Sequence, residues 1–266
     1  MTATKNAQKT KNSYVKRIQK ELEDNWGKNK RAKFIKEELD QEYIDKEGSI
    51  EWLKTGAMKY DTERIILAAQ DNALWTRATM HMTNPNIDKT CRMCHDKPET
   101  TVHLMSGCQT LLASGAYTAR HNSICKLIHY RILEYFNIPR PPNFWKHEPP
   151  KITTNNQIDI YYDFPIPIAR HIEGGFVKPD ILVRNRTEKT AHIIEVGVTG
   201  DTSINTTEWR KIQKYQDLKN AIKSEWNLGR VELIPVVVGT TGLIKKSLSG
   251  YLERIPGRVT TGDVQY

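Results

Sequence analysis

No apolar run in this 266-residue sequence approaches the ~20 residues that a membrane-spanning helix requires. A membrane-embedded protein of that type is therefore not expected. Met1 to Lys20 is polar and Lys-rich with no apolar centre, so no secretory signal is expected either. Cysteine is scarce. There are four, and three of them fall within residues 91–108. That is no disulfide scaffold; clustered thiols without a secretory signal point to a metal. Hydrophobic residues make up only 38% of the chain, which predicts a modest core with part of the chain open. No internal repeat is visible, so a solenoid is not expected. Acidic residues are in deficit: 31 Asp and Glu stand against 40 Lys and Arg, for a net charge of +9. That excess points to a polyanionic partner, nucleic acid first and an anionic membrane surface second.

The most specific local pattern is Cys91-x2-Cys94-x8-His103-x4-Cys108. Cys-x2-Cys in a tight turn is a common half of a tetrahedral zinc site, and His103 with Cys108 on a following helical turn can close it. Four protein ligands leave no open position, so the zinc would be structural. His95 is an alternative to His103, but its adjacency to Cys94 makes poor geometry. Cys125 reads as a core thiol in the next helix, and His121 and His129 read as non-ligands of this zinc.

Residues 1–48 read as a basic helical arm, with Leu22, Trp26, Phe34, Ile35 and Leu39 as an irregular stripe. Residues 49–136 read as a helical region that carries the Cys/His cluster. Ser49 to Met80 offers Ile50, Leu53, Met58, Ile65, Ile66, Ala69, Ala73 and Trp75 as buried positions, broken at Gly56. Leu111 to Phe136 is again helical, with Leu127, Ile128, Ile132, Leu133 and Phe136 on one face. Pro139 to Pro142 and Pro149-Pro150 mark 137–156 as a linker. Residues 157–256 form the last domain and 257–266 a tail. In it, Ile158 to Val177, 180–185 and 190–198 read as strands. A helix follows over 205–226, with Asn205 as N-cap and Glu208 completing a capping box. Val231 to Val238 is an apolar strand whose Pro235 suggests an edge or a bulge. Leu243, Leu248, Leu252 and Ile255 mark a closing helix.

Two acids carry the chemistry. Lys178-Pro179-Asp180 opens one strand of a hairpin and Glu195 lies in the other, with Arg184 to Thr190 as the turn. The hairpin can bring both carboxylates together as a site for a hard divalent cation. Such a cation activates water against a phosphodiester. The next helix offers Lys211 and Lys214, three apart, beside Tyr215. Strand, acid, strand, acid and a lysine-bearing helix is the order of parts in the PD-(D/E)xK nuclease core. The fold's usual lysine position, two residues after the second acid, is Gly197 here.

Taken together, residues 50 to 256 resemble the C-terminal part of the polyprotein of non-LTR retrotransposons that carry a restriction-like endonuclease. In that family a CCHC zinc knuckle precedes the nuclease. Trp52 to Gly56, Ala69-Gln70-Asp71 and Thr76-Arg77 resemble the helical segment before the knuckle. Cys91, Cys94, His103 and Cys108 match its ligands, and Arg120-His121-Asn122 a basic-His-Asn motif after it. Lys178-Pro179-Asp180 with Glu195 match the two acids, Lys211-x2-Lys214-Tyr215 the lysine helix, and Pro235 to Gly242 a late strand and turn. The resemblance implies an α+β or α/β chain, a helical region with a zinc knuckle followed by a restriction-endonuclease-like core. It implies a nuclear, metal-dependent DNA endonuclease that nicks the target site. Its Mg²⁺ or Mn²⁺ would be held by Asp180, Glu195 and the carbonyl of Val196. Lys211 or Lys214 would stabilise charge on the phosphate, and the sequence does not choose between them. Arg120, His121, Lys178, Arg184 and Arg186, together with Lys189, are candidate nucleic-acid contacts. DNA is the implied target, with element RNA as a further partner and a reverse transcriptase domain upstream. The sequence departs from the family in having no Tyr/Phe-x-Asp-Asp motif, hence no polymerase palm, and in lacking a proline near Thr199-Gly200-Asp201. The alternative readings are a catalytically inactive zinc-containing nucleic-acid-binding fragment and an interaction scaffold organised by zinc.

Overall fold

A computed structural model describes residues 37–55, 58–168 and 177–265. Leu22, Trp26, Phe34 and Ile35 of the expected arm lie outside the described residues. The centre is one mixed five-stranded sheet: β1 (Ile152–Thr154), β2 (Ile158–Tyr162), β3 (Ile181–Asn185), β4 (Thr190–Thr199) and β5 (Arg230–Gly239), in that spatial order. β1 to β4 are antiparallel neighbours, and β5 lies parallel to β4. A parallel neighbour cannot be reached by a tight turn. The connection is α7 (Ile204–Glu225), which crosses between β4 and β5.

The expected hairpin is present, with Ile181 opposite Ile194 and Asn185 opposite Thr190. Its strands are apolar on both faces because both faces are covered. Ile181, Val183, Ile194 and Val196 pack with Ile128, Ile132 and Leu133 of α6 (Ala116–Tyr135). Leu182 and Ile193 pack with Tyr215, Leu218 and Ile222 of α7. The described chain is therefore a mixed α/β structure with helices on both faces of the sheet.

Several local expectations change. The strand read over 158–177 ends at Tyr162; residues 163–168 are loop, and 169–176 lie outside the described residues. Pro235 sits on β5 at the sheet edge, where a missing N–H costs no ladder bond. The helical run from Ser49 divides into α1 (Lys46–Ile50), α2 (Trp52–Thr55), α3 (Tyr60–Gln70) and α4 (Arg77–Thr83). Its buried face differs from the expected one. Ile65 and Trp75 are 57% and 66% exposed and Leu53 is exposed too; Ala69 is buried as expected, and Trp52 and Gln70 are buried as well. The short helices turn at intervals that a single 3.6-residue stripe does not follow. The stretch 137–156 crosses from α6 to the sheet in contact with the core. Phe144 packs on Tyr130, and Ile152–Thr154 is the first strand. The tail also packs: α9 (Thr261–Gln265) buries Val264, and Gln265 donates to the carbonyls of Gly48 and Gly242. The closing helix is short, α8 (Ser247–Leu252).

The capping box at Asn205 and Glu208 does not form. α7 starts one residue earlier, with Ser203 as its N-cap. Glu208 is instead buried and holds Lys245, with Nζ 2.7 Å from Oε1, while Ser247 donates to Oε2 at 3.2 Å. Lys245 also donates to Asn205. This buried pair ties α7 to the segment after β5. Removing one partner leaves an uncompensated buried charge, which costs about 3–5 kcal/mol. Lys245→Met is expected to lower unfolding free energy by about 3 kcal/mol. The double variant Lys245→Met/Glu208→Leu should recover most of it. Urea unfolding of the three proteins checks both.

Candidate active site and metal centre

Among the described residues, two groups of ligand-type side chains converge within 4.8 Å: Cys91, Cys94, His103 and Cys108, and His121, Cys125 and Asp180. The first is the cluster expected from spacing. Cys91, His103 and Cys108 are buried. Cys94 Sγ lies 3.3 Å from His103 Nε2. His103 opens a π-helical turn (His103–Gly107), and Cys108 follows it, before α5 (Gln109–Ala113). The backbone N–H groups of Lys97 and Asp96 draw the Cys94 thiol down to about 6, while burial raises that of Cys91. Three thiols and an imidazole are the donor set of a closed structural zinc site, so the cluster can hold a metal such as zinc.

The turn that carries the cysteines is pinned by Glu99. Its buried carboxylate takes both Arg92 Nη2 at 2.6 Å and the N–H groups of Arg77 and Arg92. The Arg92 hydrogen bonds lower its pKa to about 2. The cluster is in turn fixed on α6. Tyr117 donates to the Leu104 carbonyl at 2.8 Å and accepts from Cys108 N–H. Arg120 donates to the Met105 carbonyl at 2.9 Å.

The second group stands where β4 outruns β3. β3 begins at Ile181, opposite Ile194, and β4 continues to Thr199. Val196 has no β3 partner. Its N–H donates to Asp180 Oδ2 at 2.8 Å, and its carbonyl lies 3.1 Å from His121 Nε2. His121 Nε2 is also 3.2 Å from Asp180 Oδ2. Asp180 N–H donates to Glu195 Oε1 at 3.0 Å. Lys211 Nζ stands 3.1 Å from Glu195 Oε2 and 3.6 Å from Asp180 Oδ2. Asp180, Glu195, Val196 and Lys211 therefore meet at one point. A cleft of about 150 Å³ opens beside Asp180, with His121, Asn122, Tyr162 and Asp163 in its wall. A separate cavity of about 730 Å³ is lined by Asn185, Thr190 and His192 and holds none of these groups.

Burial sets the electrostatics. It pushes Glu195 up to about 7, and the neighbouring Asp180 charge adds to the rise. Burial acts on Asp180 in the same sense, but the His121 hydrogen bond and the Lys211 charge outweigh it and lower that acid. Burial opposes the His121 imidazolium, yet contact with Asp180 raises its pKa overall. The two acids are thus pushed in opposite directions, Asp180 toward its ionised form and Glu195 toward its neutral one. That is a strained state for two oxygen ligands, and a divalent cation would relieve it. Asp180, Glu195 and the Val196 carbonyl are oxygen donors, the donor type that hard divalent cations take.

The paired lysines separate. Lys211 reaches both acids, whereas Lys214 Nζ donates to Tyr215 Oη at 3.0 Å and lies over its ring. Tyr215, itself buried, donates to the Lys178 carbonyl at 3.0 Å and so holds the Lys-Pro-Asp backbone. Gly197 makes the room for Lys211. A Cβ there would stand 3.1 Å from Lys211 Cε.

The other basic candidates have partners inside the fold. Lys178 pairs with Asp163 at 2.5 Å, as does Lys151. Arg184 lies over Trp226, and Arg186 pairs with Asp159. The hairpin turn is five residues from Asp180, about 17 Å at the rise of a strand, so Arg186 and Lys189 lie away from the acids. Arg120 faces the zinc cluster. His121, read from sequence as a nucleic-acid contact, is a member of the acid site; sequence spacing does not show which way a helix turns a side chain. Cys125 is buried four residues on, its thiol raised well above the ordinary range by burial and the two acids. His129 is buried between Tyr130 and Tyr162, and burial lowers it to about 4. No protein-family model matches the chain, and no curated protein matches it.

Two outcomes are expected. Purified protein should carry one zinc per chain by elemental analysis, and Cys94→Ala should fall well below that. Glu195 is raised from 4.5 to about 7, so its contribution is present below about 4.5 and lost as pH rises through 7. Without added Mg²⁺ or Mn²⁺, Glu195→Gln should stabilise the protein by about 2 kcal/mol at pH 8 and by much less at pH 4.5. Asp201, raised by burial to about 6, leaves a residual slope of the same sign. Urea unfolding at the two pH values measures both.

Proposed function

We propose that this chain is a metal-dependent DNA endonuclease of the restriction-like kind that nicks a target site, with an attached zinc knuckle. By the resemblance stated above it corresponds to the C-terminal part of a non-LTR retrotransposon polyprotein without its polymerase palm, acting in the nucleus. The observation that carries the reading is the convergence of Asp180, Glu195 and the Val196 carbonyl with Lys211. This is two acids, a backbone oxygen and one cation at a single point. The net charge of +9 supports a polyanionic substrate.

Asp180, Glu195 and the Val196 carbonyl would hold Mg²⁺ or Mn²⁺. When bound, that ion lowers the pKa of its water and offsets charge on the scissile phosphate. Lys211 supplies a fixed ammonium beside the acids. Freed from Glu195 when the acids take the cation, it can turn to a phosphate oxygen and stabilise developing charge. Lys214 and Tyr215 position the Lys178 carbonyl, and with it the start of β3. Lys151 lines the same cleft, Lys178 shares its partner Asp163, and both suit a flanking phosphate. The zinc knuckle holds α6 against the sheet and so fixes His121.

A nicking assay on supercoiled DNA tests this. The parent should nick with Mg²⁺ or Mn²⁺ and not with Ca²⁺, which accepts looser geometry and activates water less well. Asp180→Asn and Glu195→Gln should fall to background while retaining most DNA binding. Lys211→Ala should lose more than about a hundredfold in rate. Lys214→Ala should keep most of it. Asp180→Asn nicking as fast as the parent would sink the reading. An inert parent that binds DNA would leave a nucleic-acid-binding module.

A further inference from the structure

His121 brings more to the acid site than a hydrogen bond. Its Nε2 faces two oxygens, Asp180 Oδ2 at 3.2 Å and Val196 O at 3.1 Å. Its other nitrogen, Nδ1, lies 3.1 Å from the side-chain oxygen of Asn122. A proton on Nε2, or a metal ion there, satisfies both oxygens. With an ion bound, Nδ1 would carry the ring proton and donate to the amide oxygen. Histidines that bind metals are held in the same way. The far nitrogen donates to a carbonyl or carboxylate, which fixes the tautomer and aims the near one at the ion.

The spacing agrees. Ligands about 2.1 Å from an octahedral ion stand about 3.0 Å apart along each edge. The two separations from Nε2 are 3.1 and 3.2 Å, and His121, Cys125 and Asp180 already form one cluster of ligand atoms. Cys125 Sγ is farther from the ring, at 3.7 and 3.8 Å. His121 also sits on a helix held at two sides. It is on α6, which is anchored on one side by the sheet core and on the other by the zinc knuckle through Tyr117 and Arg120.

We propose that His121 is a direct ligand of the ion held by Asp180 and the Val196 carbonyl, and that this nitrogen makes the site prefer Mn²⁺ to Mg²⁺. The proposal rests on the cation site of the endonuclease reading and adds to it a ligand and a selectivity. An all-oxygen set suits Mg²⁺ and Mn²⁺ alike, whereas an imidazole nitrogen adds affinity for a transition-metal ion and little for Mg²⁺. Asn122 is then a positioning residue, holding the tautomer that ligates.

The test is spectroscopic and needs no turnover. The full zinc-loaded chain is titrated with MnCl₂ and the bound ion examined by pulsed electron paramagnetic resonance. The parent is expected to bind one Mn²⁺ that shows imidazole ¹⁴N modulation and is displaced only by a large excess of Mg²⁺. His121→Ala should lose the modulation and weaken Mn²⁺ binding about tenfold or more, with Mg²⁺ affinity changed less than about threefold. Asn122→Leu should keep the modulation and weaken Mn²⁺ about tenfold. Zinc content and far-ultraviolet circular dichroism confirm that each variant is folded, and the parent spectrum decides the point even if a variant is not. Mn²⁺ that binds, is lost in Asp180→Asn, yet shows no ¹⁴N modulation in the parent would overturn His121 as a ligand and leave the cation site standing. Modulation that survives His121→Ala would do the same. A parent that binds no Mn²⁺, or whose binding ignores Asp180→Asn, would overturn the cation site and the proposal together.

Discussion

The site depends on a mismatch in strand length. β4 runs five residues beyond the point where β3 begins, and β5 covers only its other edge. A buried backbone N–H and carbonyl at Val196 are thereby left without a strand partner, which a protein interior does not tolerate. Asp180 satisfies the first and His121 faces the second. A carboxylate and an imidazole are therefore drawn to one point by the need to pair the main chain. The Asp180 N–H completes the arrangement by holding Glu195. Functional groups placed this way are rigid, because moving any one of them orphans a buried polar group.

Rigidity also arrives from outside the sheet. The Cys/His turn has few apolar residues of its own, and its cohesion comes from four metal-type side chains and from Glu99. It then fixes one end of α6 by hydrogen bonds from Tyr117 and Arg120 to carbonyls in the turn between His103 and Cys108. The next residue after Arg120 is His121. The Cys/His cluster and the acid site are thus linked through one turn of α6.

The same enclosure costs stability. Burial pushes Glu195 toward its neutral form and leaves Lys211 as counter-charge for both acids. Such a cluster is worse for folding than an apolar one of the same size. Gly197 belongs to this balance. The side chain it lacks is the space through which the Lys211 stem crosses β4.

Much of this was legible in the sequence. The hairpin, the α7 stripe and the β5 run are dictated by alternation and periodicity, and the Cys/His cluster by thiol spacing, all of which act over a few residues. The two acids were legible as a pair because a hairpin makes partners of residues fifteen apart. What local pattern could not supply was direction. Lys211 and Lys214 are equivalent in sequence, and only the packing of α7 on the sheet sends one to the acids and the other to Tyr215. Glu208 looked like a cap, yet a lysine 37 residues away claimed it, because burial rewards a charged partner more than a helix end does. Arg184 and Arg186 looked free to meet a phosphate, but Trp226 and Asp159 hold them. His121 read as a candidate nucleic-acid contact. It became part of the site because α6 packs across a sheet whose strands lie far from it in sequence. The sequence by itself determined which residues could carry the chemistry. The tertiary structure decided which of them meet, because contact between distant segments is set by how helices bury their faces and by which backbone groups are left needing a partner.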